Sequence, residues 1–127
     1  DQNADAPCGL AWALQNQNPL DDARKAYAQV VAETEGEVIE AAAKARFMLG
    51  ELSFGEKKYE DAIEQFLFAA NLPFDEWRAL ARFEIARCFM ELGKKDQAVA
   101  SLEEMLKDHP KHARAADATR LLAELKQ

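Results

Sequence analysis

Apolar residues recur along this chain at intervals of three and four, interrupted roughly every 10–18 residues by polar, glycine or proline breaks. The clearest stretch is Ala79 to Pro110. Ile85, Ala86, Phe89 and Leu92 share one helical face, the break Gly93-Lys94-Lys95-Asp96 follows, and Ala98, Leu102, Met105 and Leu106 resume the pattern. This spacing predicts two antiparallel helices joined by a tight turn. A hairpin this short cannot bury its own apolar faces, so it needs neighbours.

The neighbours are in the sequence. A first helix is predicted from about Ala6 or Pro7 to Gln15, with Leu10, Ala11 and Leu14 as its stripe, and Pro19 closes the break after it. Asp21 or Asp22 caps a second helix bearing Ala23, Ala26, Tyr27, Val30 and Val31, which ends near Gly36, a natural left-handed terminator. A third helix spans about Glu37 to Phe54 with the stripe Val38, Ala42, Ala45, Leu49 and Leu52. Gly55-Glu56-Lys57-Lys58 makes the next turn. Helix four runs from Tyr59 to Ala70 with Ala62, Ile63, Phe66, Leu67 and Ala69 inward, helix five from Asp75 to Leu92, and helix six from Asp96 to Lys107. A seventh, from Lys111 to Leu125, carries interspersed charges that suit a solvating cap. The expected fold is all-α: about seven helices in an array of antiparallel pairs within one domain, residues 1–127, without a linker.

Composition narrows the partners. The chain has 127 residues, 49% hydrophobic, with five glycines and four prolines, which fits a packed helical core. Its formal net charge is −7. An acidic chain without a basic stripe is a poor match for nucleic acid, where phosphate contacts supply much of the affinity. It is equally poorly suited to an anionic membrane surface. No run approaches the roughly 20 apolar residues needed to span a bilayer, so no membrane insertion is expected. No basic segment followed by an apolar one marks a leader, and the polar start Asp1-Gln2-Asn3 reads equally as a processed terminus or as a cut from a longer chain. Cys8 and Cys88 lie far apart without close-spaced partners and form no metal framework. At least one is expected to be a buried small hydrophobe.

Two segments repeat. Ala62 and Ala98 stand 36 positions apart; each precedes a β-branched residue and lies four before a large apolar one, Phe66 or Leu102. Leu49-Gly50 and Ile85-Ala86 match upstream, and Pro73 and Pro110 close the units. The set Ile85, Ala86, Phe89, Gly93, Ala98, Leu102, Met105 and Pro110 resembles the tetratricopeptide repeat, whose period is about 34 residues. The preceding unit fits through Leu49, Gly50, Ala62, Phe66 and Ala69, with Tyr59 at the turn aromatic. It departs at Ser53, where the pattern has an aromatic, and at Lys57, the turn glycine having moved to Gly55. The family's early tryptophan is Arg46 and Arg82 here, so its packing is expected to be missing. A degenerate earlier unit fits Leu10, Ala11, Leu14, Ala23, Tyr27 and Val30. The resemblance implies a right-handed superhelical solenoid with units near 7–35, 37–73 and 75–110 and a cap over 111–126. In style, with lengthened first helices and the ending Leu-Leu-Ala-Glu-Leu, the chain is similar to bacterial cell-envelope members of the family. That similarity favours a periplasmic or envelope address.

The resemblance also implies a site. The first helix of each pair lines the inner, concave face, which places Lys44, Phe47, Glu51 and Phe54 beside Leu80, Phe83, Arg87 and Met90. Trp12 and Gln15 join from the earliest unit, and Arg114 and Leu121 from the cap. An aromatic-rich groove of this kind suits a partner's extended peptide or amphipathic helix. The same residues also suit self-association or packing against the preceding helix. One subclass of the family grips a partner's terminal carboxylate with lysines and asparagines; Phe47, Glu51 and Glu84 at the matching places exclude that reading.

No residue set has catalytic spacing, and no cofactor is implied. In Asp108-His109-Pro110-Lys111-His112 the proline separates two histidines that would otherwise share a face, which speaks against a metal site. Glu33, Glu35, Glu37 and Glu40 surround Gly36, and carboxylates in a solvated junction lack the burial that acid–base work needs. Neither Cys8 nor Cys88 has a histidine close in sequence to activate it. Trp77 lies outside the repeat register and reads as a plug between units or as an exposed contact, with the plug favoured.

Overall fold

The computed structural model describes residues 19–127. Among these residues there are six helices and no strand: α1 (Pro19–Glu33), α2 (Glu40–Gly55), α3 (Tyr59–Ala70), α4 (Asp75–Glu91), α5 (Lys95–Asp108) and α6 (Ala115–Leu125). The first predicted helix lies outside the described residues. Each helix packs on the next, and α2 also touches α4, so the first helices of successive pairs lie side by side. This is a helical-repeat solenoid.

The helix ends have local causes. Pro19 opens α1, where its missing N–H costs nothing. Beyond α1, Gly36 takes φ +80° and the Glu37 amide bonds the Thr34 carbonyl at 2.9 Å. α2 begins three residues later than expected, because Val38 and Ile39 stay outside the helix. Ile39 is extended, with φ −132° and ψ 155°, and Val38 is 63% exposed rather than part of the stripe. α6 begins at Ala115 rather than Lys111. His112 folds back so that its Nδ1 accepts the Arg114 amide at 2.9 Å, closing the turn after Pro110.

The two turns within the repeats share one geometry and use different residues. In the second unit Gly93 has φ +74° and the Lys94 amide reaches the Phe89 carbonyl at 2.8 Å. In the first, Lys57 has φ +63° and the Lys58 amide reaches the Ser53 carbonyl at 2.9 Å. The turn glycine therefore did not move to Gly55, which ends α2; a lysine holds the left-handed conformation instead.

The core forms two clusters. One gathers Phe47, Phe66, Ala62, Ile85 and Cys88 between α2, α3 and α4; the other gathers Phe83, Ala86, Leu102, Met105 and Ala118 between α4, α5 and α6. Small residues set the crossings, with Gly50 against the Phe66 ring and the fully buried Ala62 and Ala98 on the facing helices. Leu67 and Phe68, by contrast, are about half exposed, so the apolar face of α3 is wider than its core contact.

Arginines replace the packing of the absent tryptophans. The Arg46 guanidinium lies 3.8 Å from the centroid of the Phe68 ring, and its Nη1 donates to Gln65 at 3.2 Å. In the next unit Arg82 pairs with Asp108 at 2.6 Å and Glu104 at 3.5 Å. Each thus ties the first helix of its pair to the end of the second, through an aliphatic stem and a charged head.

Candidate functional site

The proposed face takes its residues from α2 and α4, where spacings of three and four align side chains along one side. Lys44 is exposed, and Glu51, Phe54, Leu80, Arg87 and Met90 are partly exposed. Phe47 and Phe83 are not groove residues. Phe47 is 7% exposed, its ring centroid 5.2 Å from that of Phe66 and 5.5 Å from that of Trp77. Phe83 is 4% exposed and packs in the α4–α5–α6 cluster. Both side chains find deep partners on neighbouring helices, so they form the floor beneath the face rather than anchors upon it. Trp12 and Gln15 lie outside the described residues. Arg114 is exposed at the cap, and Leu121 packs partly against the second cluster.

Trp77 plugs the junction between pairs. It packs on Phe47, and its Nε1 donates to Glu40 Oε2 at 3.0 Å, linking α4 to α2.

Charged groups from three elements converge on the face. Arg87 lies with its guanidinium carbon 4.6 Å from the Phe54 ring centroid, and its Nη1 donates to Glu84 Oε1 at 2.7 Å. Glu84 is 4% exposed. Burial, and secondarily the Glu51 carboxylate, push its carboxyl up to about 7 against the pull of Arg87 and Arg114. Burial also raises Glu51, opposed by the same two arginines. Arg114 approaches the Phe83 ring at 5.4 Å and pairs with Asp117 at 3.3 Å. The structure therefore brings Glu51 and Phe54 of one pair, Arg87 of the next and Arg114 of the cap to one place.

Glu84 belongs to this cluster, and its i,i+3 spacing to Arg87 is the sequence signal for it. Its position among Ala81, Ile85 and Cys88 on the buried side of α4 is what gives it a raised proton affinity.

Other chemistry is not assembled here. Cys88 is buried, and burial and the nearby Glu84 push its thiol up to about 12, so it remains protonated near neutrality. Among the described residues no three histidine, cysteine or acidic groups converge as metal ligands. His112 Nε2 instead meets Glu76 at 3.0 Å. The four glutamates around Gly36 are exposed.

A recess of about 490 Å³ opens away from this face, where the end of α1 and the α1–α2 connection meet the start of α2 and the end of α3. Val31, Val38, Phe68 and Leu72 supply its apolar lining. Sequence reasoning overlooked it, although the run Phe66-Leu67-Phe68 is wider than one core-facing stripe requires.

Two tetratricopeptide repeat profiles match the chain, over residues 8–76 and 53–125. The chain belongs to the tetratricopeptide repeat family. It is similar to the TPR repeat-containing protein YsoA of Bacillus subtilis (strain 168), with 37% identity over 59 residues, 46% of this chain and 17% of that protein. The chain thus spans well under two thirds of that relative's length. Members of the family generally mediate protein–protein interaction and are generally non-enzymatic scaffolds. No helix among the described residues is long and apolar enough to cross a membrane.

Proposed function

We propose that this chain is a non-enzymatic interaction module that takes a partner's peptide or helix across the inner face of α2 and α4. The carrying observation is Arg87 over the Phe54 ring, a contact between successive pairs that joins their surfaces into one patch. Lys44, Glu51 and Met90 extend the patch, over the buried floor of Phe47 and Phe83. The patch offers an aromatic edge and charges of both signs, which suits a helix or strand with mixed polar and apolar side chains. With a net charge of −7, the module's partners are proteins rather than nucleic acid. A cell-envelope address rests only on the sequence style of the lengthened first helices and the cap.

The test is selection of random-sequence peptides displayed on phage, followed by fluorescence anisotropy of labelled winners. Arg87→Glu and Phe54→Ala should each weaken binding about tenfold, ~1.4 kcal/mol, with unchanged helical circular dichroism. Winners that bind both variants like the wild type count against this face. A dimer in sedimentation that Arg87→Glu dissociates assigns the face to self-association instead.

A further inference from the structure

We propose that the recess between the α1–α2 connection and the end of α3 is a second docking site, whose occupant is a basic protein segment carrying a pair of bulky apolar anchors. The recess of about 490 Å³ lies within the size range of ligand-binding clefts and has room for more than one apolar side chain. Its apolar wall is unusually open to water: Val38 is 63% exposed and Phe68 48% exposed. The wall is also preformed. Thr34 Oγ1 donates to the Val30 carbonyl at 2.8 Å, the Glu37 amide bonds the Thr34 carbonyl at 2.9 Å, and Gly36 holds the left-handed turn between them. An occupant therefore meets a shape that needs little ordering on binding.

Charge selects the occupant. Glu35 and Glu37 line the recess, and neither has an ion-pair partner among the described residues. Glu33 and Glu40 flank them in sequence; they accept hydrogen bonds from Gln29 and Trp77, and no cation pairs with them among the described residues. Arg46, the cation in the lining among the described residues, is held over the Phe68 ring and bonded to Gln65, so it builds the floor. Lysines or arginines beside the apolar anchors complement this rim and would speed encounter with an acidic chain. A second copy is a poor occupant, because a two-fold contact through this patch apposes two surfaces that each carry the unpaired Glu35 and Glu37.

The probe is a fluorescein-labelled octapeptide with a central Phe-Leu pair flanked by lysines, followed by anisotropy. Controls replace the lysines with glutamates or the Phe-Leu pair with alanines. The lysine peptide should bind the wild type, and both controls at least tenfold more weakly. Phe68→Ala, and Glu35→Lys combined with Glu37→Lys, should each cost tenfold or more while the thermal melt stays within a few degrees. Arg87→Glu on the inner face should change this affinity less than twofold, so the outcome is separable from that of the α2–α4 face. The proposal is overturned if the lysine peptide does not bind, if the glutamate peptide binds equally, or if the recess variants bind like the wild type. A dimer that Phe68→Ala dissociates would also overturn it, by giving the recess to a second copy.

Discussion

Gly50 and Phe66 make one packing unit across the α2–α3 crossing: a Cβ placed on Gly50 would lie 2.6 Å from the Phe66 ring. Phe66 is fully buried. The matching pair 36 positions later is Ala86 and Leu102, so one unit combines no side chain with a large ring and the other a methyl with a smaller aliphatic group. Gly50→Ala gains about 1 kcal/mol of helix propensity and loses about 1–3 kcal/mol to overpacking, for a net loss of up to about 2 kcal/mol. Adding Phe66→Leu rebuilds the second unit's combination and should recover most of that loss. A urea double-mutant cycle reads the coupling. Strictly additive effects would refute the compensation.

Lys57 occupies a left-handed turn position that its counterpart fills with Gly93. A side chain at positive φ costs about 1–2 kcal/mol locally, and glycine removes that strain while giving back part of it as chain entropy. Lys57→Gly is therefore expected to stabilise the fold by about 0.5–1 kcal/mol. Gly93→Ala should destabilise it by a similar amount. Chemical denaturation midpoints of the two variants must move in opposite directions.

Glu84 predicts an unusual pH dependence. Its carboxyl is pushed from an ordinary 4.5 up to about 7, first by burial and then by Glu51, so the native state keeps a proton that the unfolded chain releases earlier. This contribution is complete below about pH 4.5 and is lost as pH rises towards 7. Glu84→Gln, neutral throughout, should match the wild type near pH 4 and exceed its stability by about 1–2 kcal/mol at pH 8. Arg87, with 43% of its side chain exposed, can turn to water when its partner is neutralised. Comparing urea midpoints of the two proteins at both pH values cancels the other carboxylates. A glutamine variant that is weaker at pH 8 would show that the ion pair outweighs the burial of charge.

Much of the architecture was legible because small residues at fixed offsets dictate it. The Gly50 and Ala62 positions and their copies at Ala86 and Ala98 define which faces approach, and α3 spans the predicted Tyr59–Ala70. The ends that moved did so for local reasons outside that pattern: the extended Ile39 before α2 and the His112 turn before α6. Within the site, repeat register gave the direction of a side chain and not its depth. Depth depends on what the neighbouring helix offers. Trp77, outside the register, covers Phe47, and the cap residue Ala118 helps enclose Phe83. The recess was invisible for a related reason, since its walls meet across three segments that share no periodic pattern.

That difference in depth yields the sharpest contrast between fold and function. Phe83 is enclosed by Ala79, Ala86, Leu102, Met105 and Ala118, so Phe83→Ala should open a cavity and cost about 3–5 kcal/mol of stability. Phe54 is only partly buried, with one edge against Tyr59 at a centroid distance of 5.2 Å and Arg87 over its ring. Phe54→Ala should therefore cost less, about 1–2 kcal/mol, and act mainly on binding. The two substitutions remove the same atoms from the same repeat face. Thermal unfolding and peptide anisotropy on each variant should separate them, with stability falling most for Phe83→Ala and selected-peptide affinity, measured on folded protein, falling most for Phe54→Ala. The opposite ranking would place the binding energy on the floor rather than the rim, and would move the candidate surface away from the Arg87–Phe54 contact.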